Sequence, residues 1–367
     1  MPLFMDYHLV EEIDIDAVKL VHMSDKSVQD KYGVKYLQFW VNQEAGTIFC
    51  LIEAPDKEAC EAVHREAHGN IACQIVQVES GFYKLFMGES HQLDDGIVVG
   101  KDGALDKAYR YVLAIDILGI TKATGSKDLS QLIPPEKPRK LIQRTIPTFD
   151  GREIKNSAFD EFLCVFTQAD EAMECAIKLQ EELIKRKESR EDDSWNITFK
   201  MGLGGGQPVT MSDQLFDESI KLARWLSLIA GNGEIVASNI ARRLSAMEEQ
   251  PKSYSSLKAI QSVEEEFIDQ LFNITEENLS NHAFNVEKLC HEIGISRPQL
   301  YRKVTAITGR SPVTFIRDIR LNRALSLIKE NKYNLSEIAL EIGYNSPSYF
   351  SKCFKEKYGV NASSVAV

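Results

Sequence analysis

The chain has 367 residues, 44% of them hydrophobic, and its 54 Asp/Glu against 43 Lys/Arg give a net charge of −11. That length exceeds one ordinary core and leaves room for two or three domains. No run of eighteen apolar residues occurs, and Asp6, Glu11, Glu12, Asp14 and Asp16 crowd the first thirty positions, which argues against a membrane span or a signal peptide and for a cytoplasmic protein.

From the start, Phe4 to Val10 reads as a strand, Ile15 to Asp30 as a helix, Lys35 to Val41 and Thr47 to Ile52 as a strand pair, Asp56 to His68 as a helix and Ile71 to Val78 as a strand. This βαββαβ order predicts a small ferredoxin-like α+β sandwich over residues 1–90. Residues 88–105, with four glycines, read as a linker or a poorly fixed extension. Cys60, His64 and His68 recur every four residues, so on a helix all three share one face; a thiolate with two imidazoles suits Ni(II), Zn(II) or Co(II). His8, His22 and Cys50 are candidates to close such a site from neighbouring elements. The other reading is a buried cysteine beside exposed histidines. The seven cysteines, Cys50, Cys60, Cys73, Cys164, Cys175, Cys290 and Cys353, form no CxxC and read as reduced thiols.

Met5 to His8, Val34 to Trp40, Phe49 to Pro55 and His64 to Gly69 resemble a family of small ferredoxin-like proteins, some of them nickel-binding or nickel-responsive. The resemblance spans about the first 80 residues and strengthens the expectation of Ni(II) or Zn(II). The alternative is a domain that only dimerises.

A second α/β region, 105–245, opens with the apolar strand Tyr111 to Ile115. Helices are predicted at Ala169 to Lys187 and Glu218 to Ala230, with a strand at Trp195 to Gly202 between them. Asp116 follows the first strand directly, and Asp160-Glu161 provides further carboxylates, a pattern able to hold Mg(II) for phosphoryl chemistry. Ala114 to Thr121, Gly151 to Phe166, Phe199 to Gly206 and Leu215 to Ser238 resemble the class III nucleotide cyclase catalytic domain. Against that pattern, Ala158 to Glu161 lacks the family's glycine, Lys221 replaces its asparagine and Trp225 its arginine, with Arg224 one position away and so about 100° round the helix. Since electrostatic stabilisation of the transferring group is usually the largest catalytic term, the expectation is a degenerate domain with no catalytic residue, in which Asp116, Lys155, Asp160, Lys221 and Arg224 are vestigial. It is expected to hold a small-molecule effector or to serve as a scaffold. Met247 to Ser256 reads as boundary material.

The rest of the chain, 267–367, carries the opposite charge. From Phe284 onward 13 Lys/Arg face 7 Asp/Glu, a local +6 that leaves −17 for everything before it; a basic tail on an acidic body favours one orientation towards a polyanion. Asn285 caps an amphipathic helix ending at Gly294, and Ser296 opens a second helix, together a helix-turn-helix. The pattern recurs 49 to 50 residues later, with Leu335 to Ile342, Gly343, and a helix from Ser346 carrying Tyr349, Phe350 and Phe354. Ser311-Pro312 starts a long connecting helix between the two. If the units enter successive major-groove segments, their recognition helices must stand roughly 34 Å apart.

Val286 to Gly309, Ser311 to Lys329, Ile338 to Tyr344 and Ser346 to Gly359 resemble the DNA-binding domain of the AraC/XylS family. The resemblance implies recognition of double-stranded promoter DNA, usually as a homodimer or paired monomers. For base readout the expected residues are Arg297, Gln299, Arg302, Lys303, Asn345, Ser348, Tyr349 and Lys352; Arg310, Arg317, Arg320, Lys355 and Lys357 are expected at phosphates. The whole then reads as a transcriptional regulator, not an enzyme, sensing a metal or small ligand. The alternatives are a residual nucleotide- or metal-dependent enzyme fused to a DNA-targeting domain, and a structural dimer whose front domains bind nothing.

Overall fold

The computed structural model describes residues 1–88, 92–100, 103–119, 135–154, 161–189, 196–210, 212–247, 249–250 and 252–364. The chain divides into two compact units: residues 1–112 with 165–169 and 205–221 form the first, and 113–164, 170–204 and 222–367 the second.

In the first unit, β1 (Leu3–Leu9), α1 (Ile15–Val28), β2 (Lys35–Asn42), β3 (Thr47–Glu53), α2 (Lys57–Ala67) and β4 (Gln74–Val78) follow the expected βαββαβ order. β1 pairs antiparallel with both β3 (Phe4 opposite Ile52) and β4 (Phe4 opposite Gln77), giving the strand order β4-β1-β3-β2. Both helices pack their apolar sides into a core containing Phe4, Phe39, Ile52, Cys60 and Val63. Asp56 caps α2, its carboxylate accepting from the Ala59 amide at 2.8 Å. After α3 (Ser80–Met87), β5 (Gln92–Asp94) and β6 (Ile97–Val99) form a hairpin that extends the same sheet through β6 and β2. The expected linker is therefore partly strand. Ile97 and Val98 bury against the sheet, and Asp95 and Gly96 take the left-handed backbone that the turn requires.

A second sheet has the order β12-β11-β10-β7-β9-β8, with β7 (Arg110–Gly119), β8 (Arg152–Glu153), β9 (Glu161–Phe166), β10 (Ile197–Gly206), β11 (Ile235–Ala237) and β12 (Leu257–Ala259). Four helices fall between its strands along the chain: α4 (Glu136–Thr145), α5 (Ala169–Ser189), α6 (Asp217–Ile229) and the short α7 (Asn239–Arg243). Gly202 is where β10 and α6 meet: a Cβ there would lie 2.1 Å from the Ala223 carbonyl oxygen and 2.2 Å from the Ser227 nitrogen. Only glycine permits that approach.

The all-helical remainder comprises α8 (Ser262–Glu277), α9 (Val286–Ile293), α10 (Arg297–Thr308), α11 (Pro312–Glu330), α12 (Leu335–Glu341) and α13 (Pro347–Tyr358). No break separates it from the α/β layer. One hydrophobic core runs from Leu222, Trp225 and Leu226 of α6 through Phe267, Ile268 and Phe272 of α8 to Leu300, Phe315 and Ile319. Trp225 stacks on Phe272 at 5.1 Å, and Phe272 meets Phe315 edge-on at 5.0 Å. The stretch expected to separate two domains is instead followed by β12, a strand of the sheet. α11 explains how the cores join: Phe315, Ile316 and Ile319 enter the first, and Leu321, Ala324, Leu327 and Ile328 enter a second core with Ile338, Ile342, Phe350 and Phe354. A helix apolar on several sides is one buried on several sides.

Candidate metal centre and nucleic-acid interface

Strand alternation points Phe4, Asp6 and His8 to one side of β1. On α2, His64 lies four residues before His68, which caps the helix. The His64 Nε2 stands 3.2 Å and the His8 Nε2 3.4 Å from the Asp6 Oδ2, while the His68 Nε2 stands 3.1 Å from the Asp25 Oδ1 of α1. The rings of His8 and His64 are 5.0 Å apart, and those of His64 and His68 5.4 Å. Two triads result, Asp6-His8-His64 and Asp25-His64-His68, each with its ligand atoms within 4.8 Å of one another and with His64 common to both.

These atoms are close but poorly aligned. Asp6 Oδ2, Asp25 Oδ1, His64 Nδ1 and His68 Nε2 are buried without a hydrogen-bond partner among the described residues, although the other Asp6 oxygen accepts from the Cys50 amide at 2.7 Å. Buried groups of this kind are costly unless something satisfies them, and a divalent cation would do so. The electrostatics show the same tension. Burial pushes the Asp6 carboxyl up, but His8 and His64 outweigh it and hold the group well below the usual carboxylate range. Burial raises the Asp25 carboxyl to about 7. For His8, burial opposes protonation while Asp6 promotes it more strongly, so the imidazole is raised; His68 is lowered by burial and by its histidine neighbours.

Of the expected ligands, His8, His64 and His68 come together. Cys60 and His22 stand outside both triads. The Cys60 thiol is fully buried in the apolar core and donates to the Asp56 carbonyl at 3.6 Å, and the His22 ring packs 4.5 Å from Phe39, where burial and Lys26 lower it to about 4. Cys50 is likewise core, its thiol pushed up by burial. Asp6 and Asp25 were not anticipated; the available signals were Asp6 two residues before His8 on a strand and Asp25 three after His22 on a helix.

In the helical region each unit is built by its caps. The Asn285 side chain accepts from the Glu287 and Lys288 amides, Gly294 closes α9 with left-handed backbone, and Ser296 with Gln299 forms a capping box at the start of α10. The Asn334-Glu337 box, Gly343 and the Ser346 cap repeat this arrangement for α12 and α13. Leu300, Val304 and Ile307 turn inward from α10, and Phe350, Cys353 and Phe354 from α13. Arg297, Gln299, Arg302, Lys303, Asn345, Ser348, Tyr349, Lys352 and Lys355 are exposed, as base or phosphate contacts must be. The Gln299 Oε1 is committed to Ser296, and the Lys303 ammonium lies 4.8 Å from the Phe267 ring.

Three expected phosphate contacts are placed otherwise. Arg310 pairs with Asp318 at 3.3 Å, Arg320 donates to the Asn281 carbonyl at 2.8 Å, and Lys357 donates to the Asp318 carbonyl at 2.8 Å and the Asn322 side chain at 2.6 Å. Each is an internal tie; their positive charge is spent inside the domain. Arg317 remains half exposed, 4.0 Å from Glu356. Gly343 is fixed doubly: its φ is +75° and a Cβ would lie 2.5 Å from the Leu279 carbonyl oxygen. Gly343→Ala is expected to cost about 2 kcal/mol or more, the left-handed penalty plus the clash, read as a lower denaturation midpoint with an unchanged slope.

Of the positions expected to be vestigial, Lys155 and Asp160 lie outside the described residues. Asp116 does have a second carboxylate nearby, Glu161, but Glu161 is held by Arg224 at 2.9 Å, and Lys221 pairs with Asp217 at 2.7 Å. Trp225 is core, its indole donating to Glu276 at 2.9 Å. Among the described residues no helix is long and apolar enough to cross a membrane.

Residues 289–366 match the model of a helix-turn-helix domain family, and residues 4–78 match that of the nickel responsive protein SCO4226-like family. The HTH-type transcriptional regulator MtrA of Neisseria gonorrhoeae is 35% identical over 78 residues, 21% of this chain and 26% of that protein. The solved structure of SCO4226 from Streptomyces coelicolor A3(2) is 36% identical, covers 21% of this chain and 94% of its own, and superposes with a TM-score of 0.20. That of an adenylate/guanylate cyclase/hydrolase from Silicibacter pomeroyi is 24% identical, covers 37% and 79%, and gives 0.31. The chain spans 7% to 31% of the length of the first curated relatives it matches. It joins a SCO4226-like domain at its start, through a middle α/β layer, to a tandem helix-turn-helix domain at its end.

Proposed function

We propose that the chain is a sequence-specific transcriptional regulator of double-stranded promoter DNA, acting as a homodimer, whose front domain takes up Ni(II) or Zn(II) and whose middle domain turns over no substrate. The observation that carries the DNA reading is the pair of capped recognition helices, α10 and α13, presenting Arg302 and Lys352 to solvent from opposite ends of one connecting helix, α11. Support for the metal comes from the orphaned atoms of Asp6, Asp25, His64 and His68, since imidazoles with a carboxylate suit borderline divalent ions. Against residual phosphoryl chemistry stand Trp225, which is built into the core, and Arg224, which is spent on Glu161. A bound metal would cross-link β1, α1 and α2, and any effect on DNA affinity follows from preferring one arrangement of the chain over another.

The test is selection from a random duplex pool, run with Ni(II), with Zn(II) and with chelator. Enrichment of one sequence, at an affinity that differs between metal and chelator, is expected. Enrichment insensitive to metal removes the sensing role, and no enrichment in any arm removes the regulator.

A further inference from the structure

Within the second unit, a cavity of about 490 Å³ lies between the α/β sheet and the helix-turn-helix region, in the size range of small-molecule sites. Its walls come from β7 and β10, from α6 and α8, and from α11 and the last turn of the recognition helix α13. Leu228, Leu279 and Ile319 supply apolar surface; Lys200, Arg310 and Lys357 bring three cations from three separate elements.

The charges in this cavity are incompletely satisfied. Lys200 and Asp116 form no hydrogen bond or ion pair among the described residues, although both face the cavity. Lys357 keeps its two hydrogen bonds to Asp318 and Asn322, and Tyr358 donates to the same Asn322 oxygen at 2.8 Å. Burial lowers Lys357 to about 7 although Asp318 opposes it, with Arg310 and Lys200 adding to the fall, and Lys200 is lowered first by burial and then by Arg310 against Asp116 and Asp318. Asp116 is raised by burial, against the opposing pull of Lys200, Lys357 and Lys329. Six cations line the cavity against four carboxylates, Asp116, Glu161, Glu276 and Asp318, an excess of positive charge that a bound anion would balance, and nothing in the DNA-binding or metal readings uses Lys200.

We infer that this cavity binds a small organic anion with an apolar body, its charged end held by Lys200, Arg310 and Lys357 and its body by Leu228, Leu279 and Ile319, and that occupancy biases the position of α13. The site stands on the cavity alone; the coupling to DNA rests on the regulator reading.

The probe is anilinonaphthalene sulfonate, an anionic dye that brightens in apolar surroundings, titrated into the full chain. One saturable site is expected. The double variant Lys200→Met/Lys357→Met should weaken it about 10–100-fold, the worth of one or two charge-assisted hydrogen bonds, and the neutral anilinonaphthalene should bind the parent more weakly by a similar factor. Lys355→Met, exposed and outside the cavity, should leave binding unchanged. If the double variant loses its cooperative melt, Ser326→Phe, which fills the cavity and removes no charge, must block the dye instead. Dye binding equal in parent and variants, or equal for the charged and neutral dyes, overturns the site. The second arm measures affinity for a selected duplex with and without saturating dye: a shift in the parent that is absent in the double variant supports the coupling, and no shift overturns it. Should no duplex be selected at all, the regulator reading fails while the dye titration still decides the site.

Discussion

Replacing His64 by alanine is expected to abolish metal uptake at both triads, whereas Asp25→Asn is expected to remove only the Asp25-His64-His68 group. The difference follows from connectivity, since His64 is the one side chain shared by the two triads and is buried at their centre. Losing a partner that merely orients a ligand costs about 10–100-fold in metal affinity, so losing a ligand from each group should exceed that. Elemental analysis of untagged protein, followed by competition with a chelator of known affinity, reads both variants. Because His64→Ala also leaves the buried Asp6 Oδ2 with His8 as its one remaining histidine neighbour, the metal-free variant should melt lower, by about 3 kcal/mol or more. Asp25→Asn keeps the Asp6 pairing and should melt close to the parent, which separates loss of metal from loss of fold. Uptake by His64→Ala at the parent's stoichiometry and affinity would sink the shared-ligand arrangement.

The same centre shows what kinds of feature a sequence exposes. Local periodicity places His64 and His68 on one helix face, and Asp56 as the cap of that helix follows from its position before the apolar run. Asp6 and Asp25 belong to the site through β1 lying beneath α2 and through α1 packing beside it, relations between segments about 40 to 60 residues apart that no short window contains. Cys60 shares the helix face of His64 and is as deeply buried, yet one turn earlier its neighbours are apolar side chains and it stands outside both triads. In the last quarter the repeat makes the fold legible to the level of individual caps, since each turn glycine and each capping side chain acts within a few residues of its own position. The fate of a given cation is less legible. Lys355 and Lys357 stand two residues apart on α13, and only the neighbouring α11 determines that Lys357 turns inward to Asp318 and Asn322. The merging of the middle and helical regions into one core is tertiary in the same sense, since no short window around Trp225 shows that it stacks on Phe272.

That division of the cations yields the second large effect. Arg302→Ala and Lys352→Ala should each weaken binding to a selected duplex by roughly 1–3 kcal/mol if they read bases, about 5–150-fold, and should relax the preference at separate positions, one in each half of the site. Lys355→Ala, at a phosphate, should weaken all duplexes alike and reduce the slope of log affinity against log salt by about 1. Arg320→Ala should behave differently from all three. Its guanidinium is tied to the Asn281 carbonyl and lies against Gly343, so its loss should lower the melting temperature and leave the salt slope unchanged. Fluorescence anisotropy across a salt series, on variants first checked for cooperative melting, measures each quantity. A slope that falls for Arg320→Ala as it does for Lys355→Ala would mean that Arg320 leaves its internal tie to meet phosphate, and the face of α11 that carries it would then belong to the DNA contact surface. An unchanged slope keeps the contact surface on α10 and α13, where counterion release is expected from exposed cations and none from internally tied ones.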